Sequence, residues 1–419
     1  MHKAYLKCEY PHRARIRILK KVNNPLILLF LAFLATTCID PFNPKIKGQE
    51  SILVVDGLLT DENLSYTVKL MRTTRNQNED PLMVGGARVW ITDQDGTVHN
   101  FTETAWGIYK SDSLEFRAAD GNSYQLHIQT PEGNEYLSEN CVMYPVSPVD
   151  SIYFRKDQEI ENNNTEIVDG IRIFLDSQNS GGGDYFRWSY DEWWKFSVPY
   201  PKRYDYVNEF TLPDVDTLKQ VCYAHNRSSE ILIHSAESSQ STAIEKKPVL
   251  FVGSAKSDRL KKQYCIEIRQ YSLSQEEFQF WEQLKELNEG GGDIFDKQPF
   301  AILGNIHGIT DPSETVLGYF QVSAVQMKRL YITPAKIEPL DLPEYSYGCE
   351  WVEVGPGDYP GGGVTFDMIY ASYTRTGYVF IQPVYNLMLQ MVKMVFTRPE
   401  CAICTFRGSL EKPDWWTDL

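Results

Sequence analysis

Apolar and polar residues alternate in short runs throughout residues 51–148. Three of the clearest runs place apolar side chains at every second position: Tyr66-Val68-Leu70, Ala87-Val89-Ile91 and Tyr124-Leu126-Ile128. Because successive side chains of a strand point to opposite faces, each run predicts a half-buried β-strand. The Asp95-Gly96 pair between two runs predicts a tight hairpin turn. Short, regular strands joined by polar turns predict an immunoglobulin-like β-sandwich over residues 51–149.

Residues 150–419 are predicted to form a larger β domain that ends in a cysteine-containing tail. Aromatic residues make up 13% of the chain, and flat rings pack well across neighbouring strands. The strands predicted in this part are Ile152–Arg155, Ile171–Leu175, Tyr185–Tyr190, Ile231–His234, Val249–Val252, Tyr264–Arg269, Phe300–Leu303, Val316–Val322, Leu330–Ile332, Val364–Tyr373, Tyr378–Val384 and Leu387–Phe396.

One α-helix is predicted inside the larger domain, at about residues 274–289. Ser274 is followed three positions later by Glu277, which is the pattern of a capping box at a helix start. Gly290–Gly292 then provides a stop. The apolar face follows at spacings of three and four residues: Phe278, Trp281, Leu284 and Leu287.

Residues 1–37 have the layout of a secretory signal peptide. A basic segment precedes the apolar run Leu26–Ala35, and two small polar residues then lead to Cys38. The run is about half the length that a membrane-spanning helix needs. The arrangement resembles a bacterial lipoprotein signal, in which that cysteine receives lipid and becomes the N-terminus, so Cys38 is the predicted lipidation site and residues 38–50 a tether. The alternative is an ordinary secreted protein in which Cys38 is a free or bridged thiol.

The charge of the chain limits its partners. The formal charge is −15, and residues 1–37 hold seven basic residues against one acidic residue, so the mature chain would carry −21. A surface this acidic excludes nucleic acid as a partner, because nucleic acid requires a basic surface. It also disfavours lying flat on anionic lipid. Contact with the membrane is therefore expected through a lipid anchor at Cys38.

Several motifs in the mature chain resemble those of one known family. They are Tyr271-Ser272-Leu273-Ser274 with Phe280-Trp281, Gly291-Gly292-Asp293-Ile294-Phe295-Asp296, Gln298-Pro299, Gly304-Asn305-Ile306, Leu317-Gly318-Tyr319-Phe320, Lys328-Arg329, Cys401-Ala402-Ile403-Cys404 and Lys412-Pro413-Asp414-Trp415-Trp416. The family is a large group of Bacteroidota outer-membrane lipoproteins that carries only a domain-of-unknown-function label. Its members are typically encoded beside TonB-dependent transporters. The resemblance therefore implies an outer-membrane location and such a transporter as partner, and it carries over no enzymatic residues.

The cysteine pair Cys401-x-x-Cys404 is predicted to be structural. Redox pairs of this spacing use a helix N-terminus to lower a thiol pKa, whereas these two residues follow a predicted strand and Pro399. A zinc site would need a second ligand pair. We expect a disulfide from Cys349 to one of these two cysteines, with a metal site as the alternative.

Cys222 has two further interpretations. It could form a second bridge with Cys265, because an even number of cysteines remains in the exported chain. Cys222-x-x-His225 also has the spacing of half a metal site, but the sequence offers no second ligand pair. No metal or other cofactor is predicted.

Trp193 and Trp194 are the candidate contact residues for a ligand or a partner. Adjacent residues of a strand point to opposite faces, so both indoles cannot be buried on one side. At least one of them is expected at the surface, and Trp415-Trp416 near the C-terminus has the same ambiguity.

No catalytic residue is predicted, because no nucleophile–histidine–acid set, metalloprotease motif or carboxylate pair in helical register is present. The leading hypothesis is a lipid-anchored accessory protein of the outer membrane that binds or docks to a TonB-dependent transporter in nutrient uptake. The alternative is an adhesion or envelope-assembly lipoprotein without a transport role. Asp40 is the only acidic residue between Cys38 and Glu50, so the sequence leaves the periplasmic and the cell-surface face both open.

Overall fold

The computed structural model describes residues 51–74, 79–111, 116–161, 165–178, 183–207, 210–213, 220–236, 243–289 and 302–419. The signal peptide, Cys38, the tether and Gly290–Gly292 lie outside these residues. In chain order the strands are β1 (Leu53–Thr60), β2 (Thr67–Arg72), β3 (Leu82–Met83), β4 (Arg88–Asp93), β5 (Val98–Ala105), β6 (Ile108–Ser111), β7 (Ser123–Gln129), β8 (Glu135–Ser138), β9 (Cys141–Val142), β10 (Val149–Glu161), β11 (Glu166–Gln178), β12 (Tyr185–Ser197), β13 (Tyr204–Val207), β14 (Phe210–Pro213), β15 (Val221–Arg227), β16 (Leu232–Ser235), β17 (Ala243–Gly253), β18 (Gln263–Leu273), β19 (Ile306–Gly308), β20 (Val316–Ser323), β21 (Val325–Ile332), β22 (Trp351–Val354), β23 (Val379–Tyr385) and β24 (Met391–Thr397). The α-helices are α1 (Gln275–Glu289), α2 (Pro334–Ile337), α3 (Phe366–Arg375) and α4 (Pro399–Ala402).

The first sheet surrounds one hydrophobic core in a sandwich-like arrangement. Its strand order is β19-β8-β7-β4-β5-β6-β2-β1-β20, with β3 beside β2 and β9 beside β7. The alternation seen in the sequence points apolar side chains inward, and Leu53, Tyr109, Leu126 and Tyr136 are almost completely buried. The predicted mainly β fold is thereby confirmed.

Strands from the second half of the chain complete this first sheet. β20 pairs in parallel with β1, and β19 pairs antiparallel with β8. Phe320 of β20 contributes a fully buried ring to the same core. Ser51–Leu419 accordingly form one compact unit, and the sheet extends across the boundary predicted at residue 149. A local sequence pattern does not reveal this pairing, because the strand that covers the open edge of β1 lies far along the chain.

Gly318 permits the close approach of β20 to β1. Its φ is +88°, in the region that favours glycine, and a Cβ there would lie 1.9 Å from the carbonyl oxygen of Val55. Any side chain at this position would therefore separate the two strands.

Two further sheets share the second core. One has the order β10-β11-β17, and the other has the order β15-β12-β18-β21 with β16 also paired to β12. Ile171, Ile173 and Ile266 are fully buried between them. Trp188 of β12 is also buried and satisfies its indole N–H by donating to Oε1 of Gln270, at 2.8 Å.

Helix α1 begins where the sequence predicts. The hydroxyl of Ser274 accepts a hydrogen bond from the backbone N–H of Glu277, at 3.1 Å, which is the first half of a capping box. Phe278 and Trp281 pack against β12, β16 and β18 through a small apolar cluster. The predicted stop at Gly290–Gly292 lies outside the described residues.

The C-terminal part contains a second helix of substantial length that the sequence did not predict. The strand predicted at Val364–Tyr373 is wrong, because residues 366–375 form α3. Thr365 caps this helix by accepting a hydrogen bond from the N–H of Met368, at 3.3 Å. Ile369 is buried on its inner face, which packs on the sheet β22-β24-β23. The expectation of one embedded helix is corrected accordingly.

Candidate functional site

Trp193 and Trp194 lie on opposite faces of β12. Trp194 points inward, where its Nε1 donates to Oδ1 of Asp258 at 3.2 Å and its ring packs against the apolar cluster around Phe196. Trp193 points to the outer face of the five-stranded sheet and lines an open groove. Of the two predicted contact residues, only Trp193 therefore takes part in the site described below.

Three aromatic rings form the centre of this site. The imidazole of His225, opposite Trp193 on β15, stacks on the indole with 4.8 Å between ring centroids and an interplanar angle of 25°. Trp415 meets Trp193 edge-on, at a centroid distance of 4.7 Å. The guanidinium of Arg329 lies 4.0 Å from the centroid of the Trp415 ring, a cation–π contact.

A row of alternating charges crosses the sheet beside these rings. On β12, Asp191 accepts hydrogen bonds from three donors: His225 Nε2 at 2.8 Å, Arg227 Nε at 2.9 Å and Arg269 Nη1 at 3.1 Å. On β18, Glu267 accepts from Arg269 Nη2 at 2.5 Å and from Arg329 Nε at 2.6 Å.

Both carboxylates of this charge row are buried. The side chain of Asp191 is 7% exposed and that of Glu267 is 1% exposed. Burial alone would lower the pKa of the Arg269 guanidinium, but the nearby carboxylates, Glu267 foremost, outweigh it and raise the pKa. Because each buried charge has hydrogen-bonded partners of opposite sign, the row fixes side-chain orientation across four strands.

The groove at Trp193 is closed on one side by the C-terminal segment. Its volume is about 390 Å³, and His225, Tyr223, Lys412 and Asp414 are among its lining residues. The segment is attached at Ser409, whose backbone N–H and C=O both bond to Tyr223 at 2.8 Å.

Asp418 adds a second attachment for the C-terminal segment. Its carboxylate accepts from Lys195 of β12 at 2.9 Å and from Lys412 at 2.8 Å. These two lysines, Lys412 first, lower the pKa of Asp418 to about 2.

Two disulfides anchor the same C-terminal part. Cys349 bonds to Cys401, which resolves the choice of partner left open by the sequence. Cys404 bonds to Cys222 on β15, directly beneath the groove, with 5.6 Å between the Cα atoms. The proposed Cys222–Cys265 bridge is wrong, since Cys265 is a free thiol buried on β18, where burial raises its pKa to about 12.

The metal interpretations of these cysteines receive no support in the described part of the chain. There, no group of three or more His, Cys, Asp or Glu residues is arranged to hold an ion. Cys222, Cys401 and Cys404 are committed to disulfides, so the Cys222-x-x-His225 and Cys401-x-x-Cys404 spacings serve the covalent framework instead.

A second, smaller pocket of about 280 Å³ lies at the start of α1. Glu277 is buried in its wall, and burial raises the pKa of its carboxyl to about 8 against the opposing effect of Arg187. Cys141 accepts a hydrogen bond from Nδ2 of Asn305 at 3.1 Å. Burial raises the pKa of the Cys141 thiol to about 12, which leaves little thiolate for nucleophilic chemistry.

Comparison with known protein families gives a match over most of the chain. A family model described as a domain of unknown function (DUF4249) matches residues 39–329. The chain belongs to the DUF4249 family. The DUF4249 match contains Trp193, His225 and all the residues of the charge row, and it ends before Trp415 and the C-terminal segment. No curated protein matches the chain. Among the described residues of this DUF4249 member, no helix is long and apolar enough to cross a membrane.

The charge row was missed in the sequence, although a local signal was present. Glu267 and Arg269 are two positions apart in the predicted strand Tyr264–Arg269, and Ile266 and Ile268 fill the alternate, buried positions. Two opposite charges on one face of an otherwise apolar strand indicate that this face carries polar contacts. Their partners could not be found, because Asp191 lies more than 70 residues away in the sequence.

Proposed function

We propose that this protein is a lipid-anchored accessory protein of the outer membrane that binds a TonB-dependent transporter in nutrient uptake and carries out no chemistry of its own. The proposal takes the anchor from the predicted signal and Cys38. It takes the location and the transporter partner from the resemblance to Bacteroidota lipoproteins. The DUF4249 match agrees with the domain-of-unknown-function label. It gives no information on the location or on the transporter partner.

The observation that carries the binding role is the groove at Trp193. Tryptophan, tyrosine and arginine are the residue types that contribute most to protein–protein binding energy, and the groove combines Trp193 and Tyr223 with Arg227 and Arg329 close by. The groove is open and rimmed by charged side chains, as a partner surface is, whereas small-molecule sites enclose most of their ligand.

Affinity isolation from native membranes in mild detergent tests this proposal. The affinity tag belongs after Gly96, in an exposed turn with no heavy atom within 4 Å of the position of a Cβ. A C-terminal tag would disturb the groove, since the backbone N–H of Leu419 bonds to Gln263 and the terminal segment forms one wall. We expect a β-barrel transporter to co-purify in stoichiometric amount.

Matched variants locate the contact. Trp193→Ala should remove the barrel from the eluate, whereas Trp106→Ala, which alters a 69% exposed indole in the turn between β5 and β6, should retain it. Cys38→Ser should release the protein from the membrane. If wild-type protein stays membrane-bound through Cys38 but brings down no barrel, the transporter role is refuted and the adhesion or envelope-assembly role is favoured.

A further inference from the structure

The tip of the β23–β24 hairpin presents three consecutive apolar side chains to solvent. Leu387, Met388 and Leu389 are 104%, 80% and 84% exposed. Single exposed apolar residues are common on protein surfaces. Three in a row at the end of a hairpin are not, and contiguous apolar exposure of this kind marks a contact site.

The turn at the tip is held by hydrogen bonds between its own residues. The side-chain oxygen of Asn386 accepts from the N–H groups of Met388 and Gln390, at 2.9 and 3.0 Å. The N–H of Asn386 donates to Gln390 O at 2.9 Å, and that of Leu389 donates to Asn386 O at 3.0 Å. These bonds fix the turn, so the three apolar side chains are presented to solvent in one defined arrangement.

Leu389 is held in an unfavourable backbone conformation. Its φ is +60°, in the left-handed region that non-glycine residues rarely adopt. Its side chain is exposed, so no packing within this protein offsets the strain. The hairpin turn requires this conformation and glycine would adopt it without strain, so a leucine here costs stability and exposes an apolar side chain that glycine would not.

The hairpin around the tip carries no charge. Residues 376–392 contain no Asp, Glu, Lys or Arg. The next charged residue, Lys393, is paired with Asp358 at 3.7 Å. At the base of the tip the hydroxyl of Tyr385 shares a hydrogen bond of 2.7 Å with Thr211, and the ring is 45% exposed. An aromatic residue with a polar end beneath an apolar tip is the arrangement found at membrane–water interfaces.

We infer that this tip inserts into the apolar layer of a lipid surface. Three side chains are far too small for a stable protein–protein interface, which buries about 800 Å² on each partner. A small apolar insertion does suffice when a second attachment, here the lipid anchor proposed at Cys38, holds the protein at the membrane, because weak membrane contacts reinforce each other. The inference rests on that part of the proposed function. The strongly acidic chain directs the tip to zwitterionic lipid rather than to anionic lipid. The inference does not depend on a transporter partner.

A fluorescent probe at the tip tests the insertion. Met388→Cys, labelled with an environment-sensitive fluorophore, is purified as the full chain from native membranes and reconstituted in phosphatidylcholine vesicles without any transporter. We expect a blue-shifted emission that lipids with a spin label on the acyl chain quench at least twofold. The control is the same probe at Val98→Cys, which is 48% exposed on β5, and it should show neither effect. The unsubstituted chain corrects for labelling of Cys141 and Cys265.

A second variant separates insertion from mere proximity. Leu387→Ser with Leu389→Ser, in the Met388→Cys background, changes only exposed side chains, so near-ultraviolet circular dichroism should be unchanged while the quenching is lost. An aqueous emission at position 388 in vesicles overturns the inference. A blue shift that appears only in native membranes, and that the spin-labelled lipids do not quench, also overturns the inference. That result would mean that a protein, rather than lipid, covers the tip.

Discussion

The indole of Trp415 packs edge-on against Trp193, with 4.7 Å between the ring centroids and an interplanar angle of 77°. Trp193 lies within the DUF4249 match, whereas Trp415 lies in the segment that follows it. The aromatic site therefore depends on a part of the chain outside the family match, and the energy of this contact can be measured.

A double-mutant cycle on Trp193→Ala and Trp415→Ala should give a coupling energy of about 1 kcal/mol. Edge-to-face aromatic pairs contribute about 0.5–1.5 kcal/mol beyond the burial of their surface. Urea unfolding followed by circular dichroism supplies the four free energies of unfolding. The pair Trp193, on β12, and Trp106, in the turn between β5 and β6, should show no coupling. Equal values for the two cycles would contradict a direct contact.

Removing the Cys222–Cys404 disulfide should cost more stability than removing Cys349–Cys401. The first spans 182 residues and the second 52, and in the chain-entropy account a longer closed loop gives more stabilisation, by about 1 kcal/mol for this difference. Paired Cys→Ala variants avoid leaving free thiols, and urea unfolding compares them. The opposite order would indicate that native-state contacts, rather than loop closure, dominate the effect.

The buried carboxyl of Glu277 should make stability fall as pH rises. Its pKa in the folded chain is about 8, above the ordinary value of 4.5, so the folded state binds the proton more tightly than the unfolded state. The contribution of the Glu277 carboxyl to the free energy of unfolding is fully present below pH 4.5. It is lost by about 1.4 kcal/mol per pH unit as the pH rises toward 8.

Glu277→Gln tests this pH dependence because glutamine is neutral and keeps an oxygen that can accept the Trp281 Nε1 hydrogen bond, which measures 3.3 Å. Urea unfolding between pH 5 and pH 8 should show a flatter profile than the wild-type profile. Glu276→Gln, at the exposed neighbouring position, should leave the wild-type profile unchanged. An unaltered slope in Glu277→Gln would mean that the carboxyl ionises at its ordinary pKa.

Gly318→Ala should destabilise the protein strongly, by about 3 kcal/mol or more. The added Cβ would lie 1.9 Å from the Val55 carbonyl and would also require a φ of +88°. Gly96→Ala is the matched control, because Gly96 has a φ of +79° and nothing within 4 Å, so only the backbone strain of about 1–2 kcal/mol applies. Thermal unfolding of both variants measures the difference. Similar losses would show that β20 can move away from β1.

Several strands of the first sheet and the start of helix α1 could be predicted from sequence because their signals are local. Alternation marks β2, β4 and β7, and the Ser274–Glu277 pair marks the start of the helix. Helix α3 was missed although Phe366, Ile369, Tyr370 and Tyr373 have helical spacing. Aromatic and β-branched residues favour strands, so the local composition predicted a strand here. The cap at Thr365 and tertiary packing stabilise a helix instead.

The site was predictable only in part. That Trp193 and Trp194 face opposite sides follows from strand geometry, but which of them points toward the core depends on what packs beneath β12. The charge row depends on the register of four strands drawn from residues 185–332. The Cys222–Cys404 disulfide depends on the C-terminal part packing against the strand that carries Cys222. Register between distant strands is a tertiary property, and a single sequence does not display it.

The parallel pairing of β1 with β20 has a consequence for the order in which the chain folds. More than 250 residues separate the two strands, so the first sheet cannot be completed until residue 323 is available to fold. During that interval the edge of β1 is open to wrong partners, and closing so long a loop is slow. Any truncation before β20 would make that exposure permanent, so the shortest piece of this protein that can assemble its N-terminal sheet reaches well into the second half of the chain.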